Sequence, residues 1–107
     1  SWCGPCRTEL PDLDALQRDA AGDGLKVAAV SLDLKGWPAI DATAAALGLR
    51  SLAFYHDRDR AAARGLGIIG LPTTLVLDAE RREVGRVIGA GDWASPDLRR
   101  RVLALAS

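Results

Sequence analysis

The sequence predicts an α/β fold, with a central sheet covered by helices, and three observations lead there. Residues 25–32 (LKVAAVSL) form a nearly continuous, Val-rich apolar run, the pattern of a strand inside a sheet. Residues 73–77 and 83–88 are two further β-rich runs joined by a short polar turn, which reads as an antiparallel pair. Segments with helical spacing alternate with these strands, in the order α, β, α, β, α, β, β, α, and such an order places helices against a sheet.

Each element has its own local cause. Glu9 to about Ala21 reads as a helix because Leu10, Leu13, Leu16 and Ala20 fall on one stripe, with Asp14, Arg18 and Asp19 on the other side. Pro11 lies inside it and is expected to bend it, since proline has no N–H for an interior bond. Gly22-Asp23-Gly24 supplies the stop. The run at 25–32 is expected to be buried on both faces, and Asp33 to Gly36 is a loop. A second helix is expected over Pro38–Leu47, with Pro38 at the tolerated first position and Gly48 after its end. Leu52–Tyr55 reads as a short strand, and Asp59–Leu66 as a short alanine-rich helix ended by Gly65 or Gly67. Thr73–Leu77, the turn Asp78–Arg82 and Glu83–Ile88 complete the hairpin. Ser95-Pro96-Asp97 opens the last helix: Ser caps it, Pro takes the first position, and Asp faces the positive end of the dipole. Leu98, Val102 and Leu105 are its expected buried face.

Composition narrows the function. At 107 residues the chain suits one domain, expected to span 1–107. Fourteen basic residues balance fourteen acidic ones, so no electrostatic attraction to nucleic acid or to an anionic membrane is expected. No stretch approaches the roughly 20 apolar residues of a membrane-spanning helix. The chain opens at Ser1-Trp2-Cys3 and contains no Met. It is therefore expected to be a piece of a longer protein whose targeting region lies upstream. The two cysteines stand three positions apart. Even with His56, the only histidine, they cannot complete a four-ligand zinc site, and a bridge between them closes almost no loop. What remains is chemistry on the sulfurs.

Trp2-Cys3-Gly4-Pro5-Cys6 directly precedes the first helical pattern, and this placement carries the mechanism. A sulfur at a helix N-terminus faces unpaired backbone N–H groups and the positive end of the macrodipole, both of which favour thiolate over thiol. Cys3 is accordingly the expected attacking group. Cys6, one helical turn further in, is the expected resolving thiol that releases a mixed disulfide. Gly4 and Pro5 close the turn between them. The exchange needs neither metal nor organic cofactor. Trp2 abuts the nucleophile and has two readings, shielding the site and contacting partners. Far downstream, Gly70-Leu71-Pro72-Thr73-Thr74 leads into a strand. A proline there is acceptable only where its N–H is not required. On the residues alone a trans bond ending a loop is the commoner arrangement. A cis bond would turn the Leu71 backbone outward, toward an incoming extended peptide.

Taken together, these segments resemble the thioredoxin superfamily. The runs WCGPCRTELP, VAAVSLD, GLPTTLVLD and GDWASPD are similar, more narrowly, to its TlpA/ResA branch of bacterial thiol–disulfide oxidoreductases. The resemblance touches nearly the whole chain and is weakest between residues 35 and 65. It implies a thioredoxin-like central mixed β-sheet flanked by helices, and a redox turn that normally follows a central strand. Only Ser1 and Trp2 precede Cys3, so that strand is expected to be missing and the domain N-terminally truncated. The resemblance further implies Cys3 as nucleophile, Cys6 as resolving thiol, and a cis Pro72 facing them. It places Glu9 beneath the active site as an acid assisting proton transfer; an acid in the first turns of a helix is also favoured electrostatically with no catalytic role. It also implies disulfide-bearing substrate proteins, a separate thiol electron donor, a periplasmic or other extracytoplasmic location, and substrates such as apocytochromes or copper-site proteins.

The Gly-Pro spacer is that of reducing thioredoxins, which favours a protein-disulfide reductase. A second reading is a copper-chaperone type of module using both thiolates, for which two cysteines, one distant His and no Met are a thin ligand set. His56 reads as a solvated loop residue, Arg99-Arg100-Arg101 as a solvated helix face, and Trp37 and Trp93 as closures at the ends of the core.

Overall fold

A computed structural model describes residues 4–32 and 35–106, with side chains from residue 6 onward. Helix α1 runs Gly4–Ala20 and passes through Pro11, so it starts five residues earlier than the apolar stripe indicates. The stripe begins at Leu10 because α1 opens with Gly4, Pro5 and Cys6, which carry no helical hydrophobic period. A 3-10 turn at Ala21–Asp23 follows, and Gly24 closes it in the left-handed conformation with φ 81°. Strand β1 is Ala28–Ser31, α2 is Trp37–Leu47 with Pro38 in its first turn, and β2 is Ala53–His56. Gly48 ends α2 at φ 66°, as a C-terminal glycine should. Helix α3 spans Ala61–Gly65, and the Asp57 carboxylate accepts from the Ala62 and Ala63 amides at its start. Strands β3 (Thr73–Leu77) and β4 (Glu83–Ile88) and helix α4 (Pro96–Ala106) complete the chain. The Ser95 hydroxyl accepts from the Leu98 amide at 3.4 Å, the expected cap.

Parallel and antiparallel pairing both occur. Strands β1 and β2 pair in parallel, Ala28 opposite Ala53 through Ser31 opposite His56. Strands β3 and β4 pair antiparallel, Thr73 opposite Ile88, with an irregularity between Val76 and Leu77. Among the described residues these are two separate two-stranded ladders, with no strand joining them. In the turn between β3 and β4 the Asp78 carboxylate accepts from the Glu80 and Arg82 amides.

Leu16, Ala20, Val76, Trp93 and Val102 form the buried cluster, with Leu13, Leu25, Val27, Val87, Leu98, Leu103 and Ala106 packed on it. Helix α1 and helix α4 therefore cover the β3–β4 ladder. Three expectations are corrected here. Strand β1 is not buried on both faces: Ala28 and Val30 are exposed while Ser31 is buried, because among the described residues its ladder holds one neighbouring strand. The buried face of α4 uses Leu98, Val102, Leu103 and Ala106; Leu105 is partly exposed and lies over Gly85. His56 belongs to β2, half-buried beside Gly36, rather than to a solvated loop.

The larger correction concerns α1. Its buried face carries three polar side chains, Glu9, Asp14 and Gln17, and Asp14 is not on the outer side. Each ties the helix to a loop. Asp14 Oδ1 accepts from the Arg50, Ser51 and Leu52 amides, just before β2, at 3.1, 2.8 and 3.0 Å. Gln17 donates to the Leu25 carbonyl at 2.8 Å and accepts from the Val27 amide, giving the backbone before β1 the partners a strand would supply. Glu9 binds the loop between β4 and α4. Buried polar groups persist where such partners exist, and these three fix the height and rotation of the helix that carries the redox turn.

Candidate active site

Trp2 and Cys3 lie outside the described residues. Gly4, which follows Cys3 in the sequence, is the first residue of α1. Cys6 is the third residue of that helix, 7 % exposed and disulfide-bonded. Glu9, three residues on, occupies a neighbouring position on the same helix face and is 6 % exposed. Its Oε2 accepts from the Gly91 amide and from the Trp93 indole Nε1, both at 3.0 Å. No hydrogen bond reaches its Oε1 among the described residues.

The second part of the site is the entry to β3. The Leu71–Pro72 peptide bond is cis, the arrangement the resemblance implied. Pro72 is buried and its carbonyl accepts from the Gly89 amide at 2.9 Å. The Thr73 hydroxyl donates to the Gly70 carbonyl at 2.6 Å. The Leu71 amide and carbonyl have no hydrogen-bond partner among the described residues, and the side chain is 52 % exposed. Apolar side chains surround this point: Ile69 is 90 % and Ile88 66 % exposed. The segment before it is held by Arg86, which donates to the Leu66 and Gly67 carbonyls at 2.7 and 3.4 Å while paired with Glu83 at 2.8 Å. That pairing holds the Glu83 carboxyl below its ordinary range and the Arg86 guanidinium above its own.

Residues 89–93 join the two parts. Gly89 bonds Pro72, whereas Gly91 and Trp93 bond Glu9. Two residues of chain span at most about 7 Å, so this loop brings the Pro72 edge to the helix face shared by Cys6 and Glu9. Sequence reasoning selected Cys6, Glu9, Leu71 and Pro72 but missed this connector and left Trp93 as a core closure. The signal available was Gly91 beside Trp93: a Cβ at Gly91 would stand 2.9 Å from the indole ring, so the close approach needs glycine.

A helix that carries Cys6 in its opening residues and directly follows Cys3 in the sequence, packed on a sheet and accompanied by a cis proline at a strand entry, defines a thioredoxin-like protein. The AhpC/TSA family profile matches residues 1–84, and the chain belongs to that family, within the thioredoxin superfamily. Among solved structures it is similar to a protein from Chlorobium tepidum assigned as thiol:disulfide interchange protein DsbE. That pair has 26 % identity and a TM-score of 0.85, covering 99 % of this chain and 74 % of the other. It is also similar in fold to StoA from Bacillus subtilis, at 20 % identity and a TM-score of 0.76, covering 100 % and 76 %. No helix among the described residues is long and apolar enough to cross a membrane.

Proposed function

We propose that the protein is a protein-disulfide reductase working through a Cys3/Cys6 dithiol–disulfide couple. The Cys3 thiolate attacks one sulfur of a substrate disulfide. A bond forms between Cys3 and that sulfur, and the other substrate sulfur leaves as a thiolate that takes up a proton. Cys6 then gives up its proton and attacks the Cys3 sulfur, releasing the second substrate thiol. The products are two substrate thiols and a Cys3–Cys6 disulfide, which a separate dithiol donor reduces again. We assign uptake of the Cys6 proton to Glu9, which is buried three residues further along the same helix and has no hydrogen bond at Oε1 among the described residues.

The observation that carries this reading is the disulfide-bonded, buried Cys6 on the same helix face as a buried carboxylate. The open Leu71 backbone and the exposed Ile69, Leu71 and Ile88 side chains support a protein partner in extended form, paired along the strand entry and flanked by apolar contacts. The similarity to a protein assigned as a thiol:disulfide interchange protein supports the reaction class. An extracytoplasmic setting rests on the TlpA/ResA resemblance. Insulin reduction driven by dithiothreitol tests the proposal: the protein accelerates it and Cys3→Ser does not. A potential near −120 mV, that of a strong oxidant, would replace reductase by oxidase.

A further inference from the structure

We propose that Trp93, together with the Gly91 amide, is a positioning residue for the exchange reaction, holding Oε2 of Glu9 so that Oε1 faces the proton transferred at Cys6. This rests on the disulfide-exchange reading above. Both donors of Glu9 come from one loop and converge on one oxygen. A helix staple needs only that a carboxylate be bonded. Among the described residues one oxygen takes two donors and the other takes none, at a side chain 6 % exposed. A buried polar atom without a partner is rare and is commonly kept for chemistry. Three residues from a buried cysteine, that atom has a proton donor and acceptor to serve.

The loop is itself braced. Trp93 is 1 % exposed, and its carbonyl accepts from Arg99 Nε at 2.7 Å. Arg99 in turn binds Asp19 at 3.0 Å, near the end of α1. The 91–99 segment therefore grips α1 at both Glu9 and Asp19, and the indole cannot turn without disturbing that brace. The charged and titratable groups around Glu9 are few. Cys6 shares its helix face, Asp92 lies between the two donors with its side chain exposed, and Arg99 and Asp19 act from behind Trp93. None of these replaces the indole N–H.

The test uses Trp93→Phe, which keeps an aromatic ring and removes the donor, and Glu9→Gln, singly and combined. A second route to the same loss is Gly91→Ala, whose added Cβ would push the indole away. The readout is the rate of iodoacetamide alkylation of the reduced protein against pH, beside insulin reduction. Trp93→Phe and Gly91→Ala are expected to displace the pH midpoint, with about a tenfold change in rate at fixed pH, the size of one charge-assisted hydrogen bond. In the Glu9→Gln background neither adds a further displacement, because Trp93 acts only through Glu9. If Trp93→Phe gives the wild-type profile with only a lower unfolding temperature, or if its shift adds to that of Glu9→Gln, the positioning role is wrong while the exchange reading stands. If the wild-type protein reduces no insulin and its alkylation profile is that of free cysteine, both are wrong.

Discussion

Replacing Asp14 by Ala removes the acceptor on which three backbone amides converge. Arg50, Ser51 and Leu52 donate to Asp14 Oδ1 at 3.1, 2.8 and 3.0 Å. The three do not lose equally. Leu52 is buried, Ser51 half-buried and Arg50 exposed, so water can satisfy the first amide of the series, part of the second and none of the third. An unsatisfied buried donor costs about 1–3 kcal/mol, which puts the total near 3 kcal/mol for Asp14→Ala. For a domain of this size that corresponds to a fall of roughly 12–24 °C in Tm. Asp14→Asn keeps an oxygen at the same place and is expected to lose only about 1 kcal/mol. Urea unfolding followed by circular dichroism, with unchanged m-values, measures both. An Ala variant that loses less than about 1 kcal/mol, or an Asn variant as unstable as the Ala one, would refute the idea that this carboxylate registers α1 against β2.

Two further outcomes follow from the surface. Ile69→Ser combined with Ile88→Ser lowers kcat/KM for insulin by about tenfold, the loss of one buried aliphatic contact, through KM; turnover of a small soluble disulfide and the unfolding midpoint stay unchanged. Equal loss for both substrates would remove these side chains from partner binding. Asp19 is held below its ordinary value of 3.8 first by the hydrogen bond from Arg99, which outweighs the opposing effect of burial, and then by the charge and hydrogen bond of Arg18 and the charge of Arg99. A lowered carboxyl stabilises the fold above its unfolded pKa and loses that contribution as pH falls through the folded one. Asp19→Asn is therefore expected to unfold earlier than wild type at pH 7 and to match it at the acid end, below the folded pKa. A constant offset across that range would contradict the pairing.

Much of the fold is legible in the sequence because most elements announce themselves locally. The hairpin Thr73–Leu77 and Glu83–Ile88 has alternating β-rich runs around a polar turn, and its bounds match the structure. Ser95-Pro96 and Gly48 mark helix ends by chemistry that depends on neighbours only. What the sequence hides is what depends on distant partners. Asp14 looks like a solvent-facing residue until the amides of residues 50–52 meet it, 36 to 38 positions away. Glu9 owes its placement to Gly91 and Trp93, 82 and 84 positions away. A polar residue on an apolar helix face contradicts the hydrophobic period, and here that contradiction marks both a staple and the candidate site. The start of α1 is hidden for a related reason: Gly4, Pro5 and Cys6 in its first turn give no apolar spacing to read.

The proposed reductase stands or falls on Cys3 attacking and Cys6 resolving. The direct measurement is to incubate Cys6→Ser with a disulfide-bearing protein and look for a covalent complex by mass spectrometry. A stable adduct through Cys3 that dithiothreitol releases is expected, and none with Cys3→Ser. An adduct that forms equally well without Cys3, or no adduct at all while the wild-type chain turns the same substrate over, would contradict it.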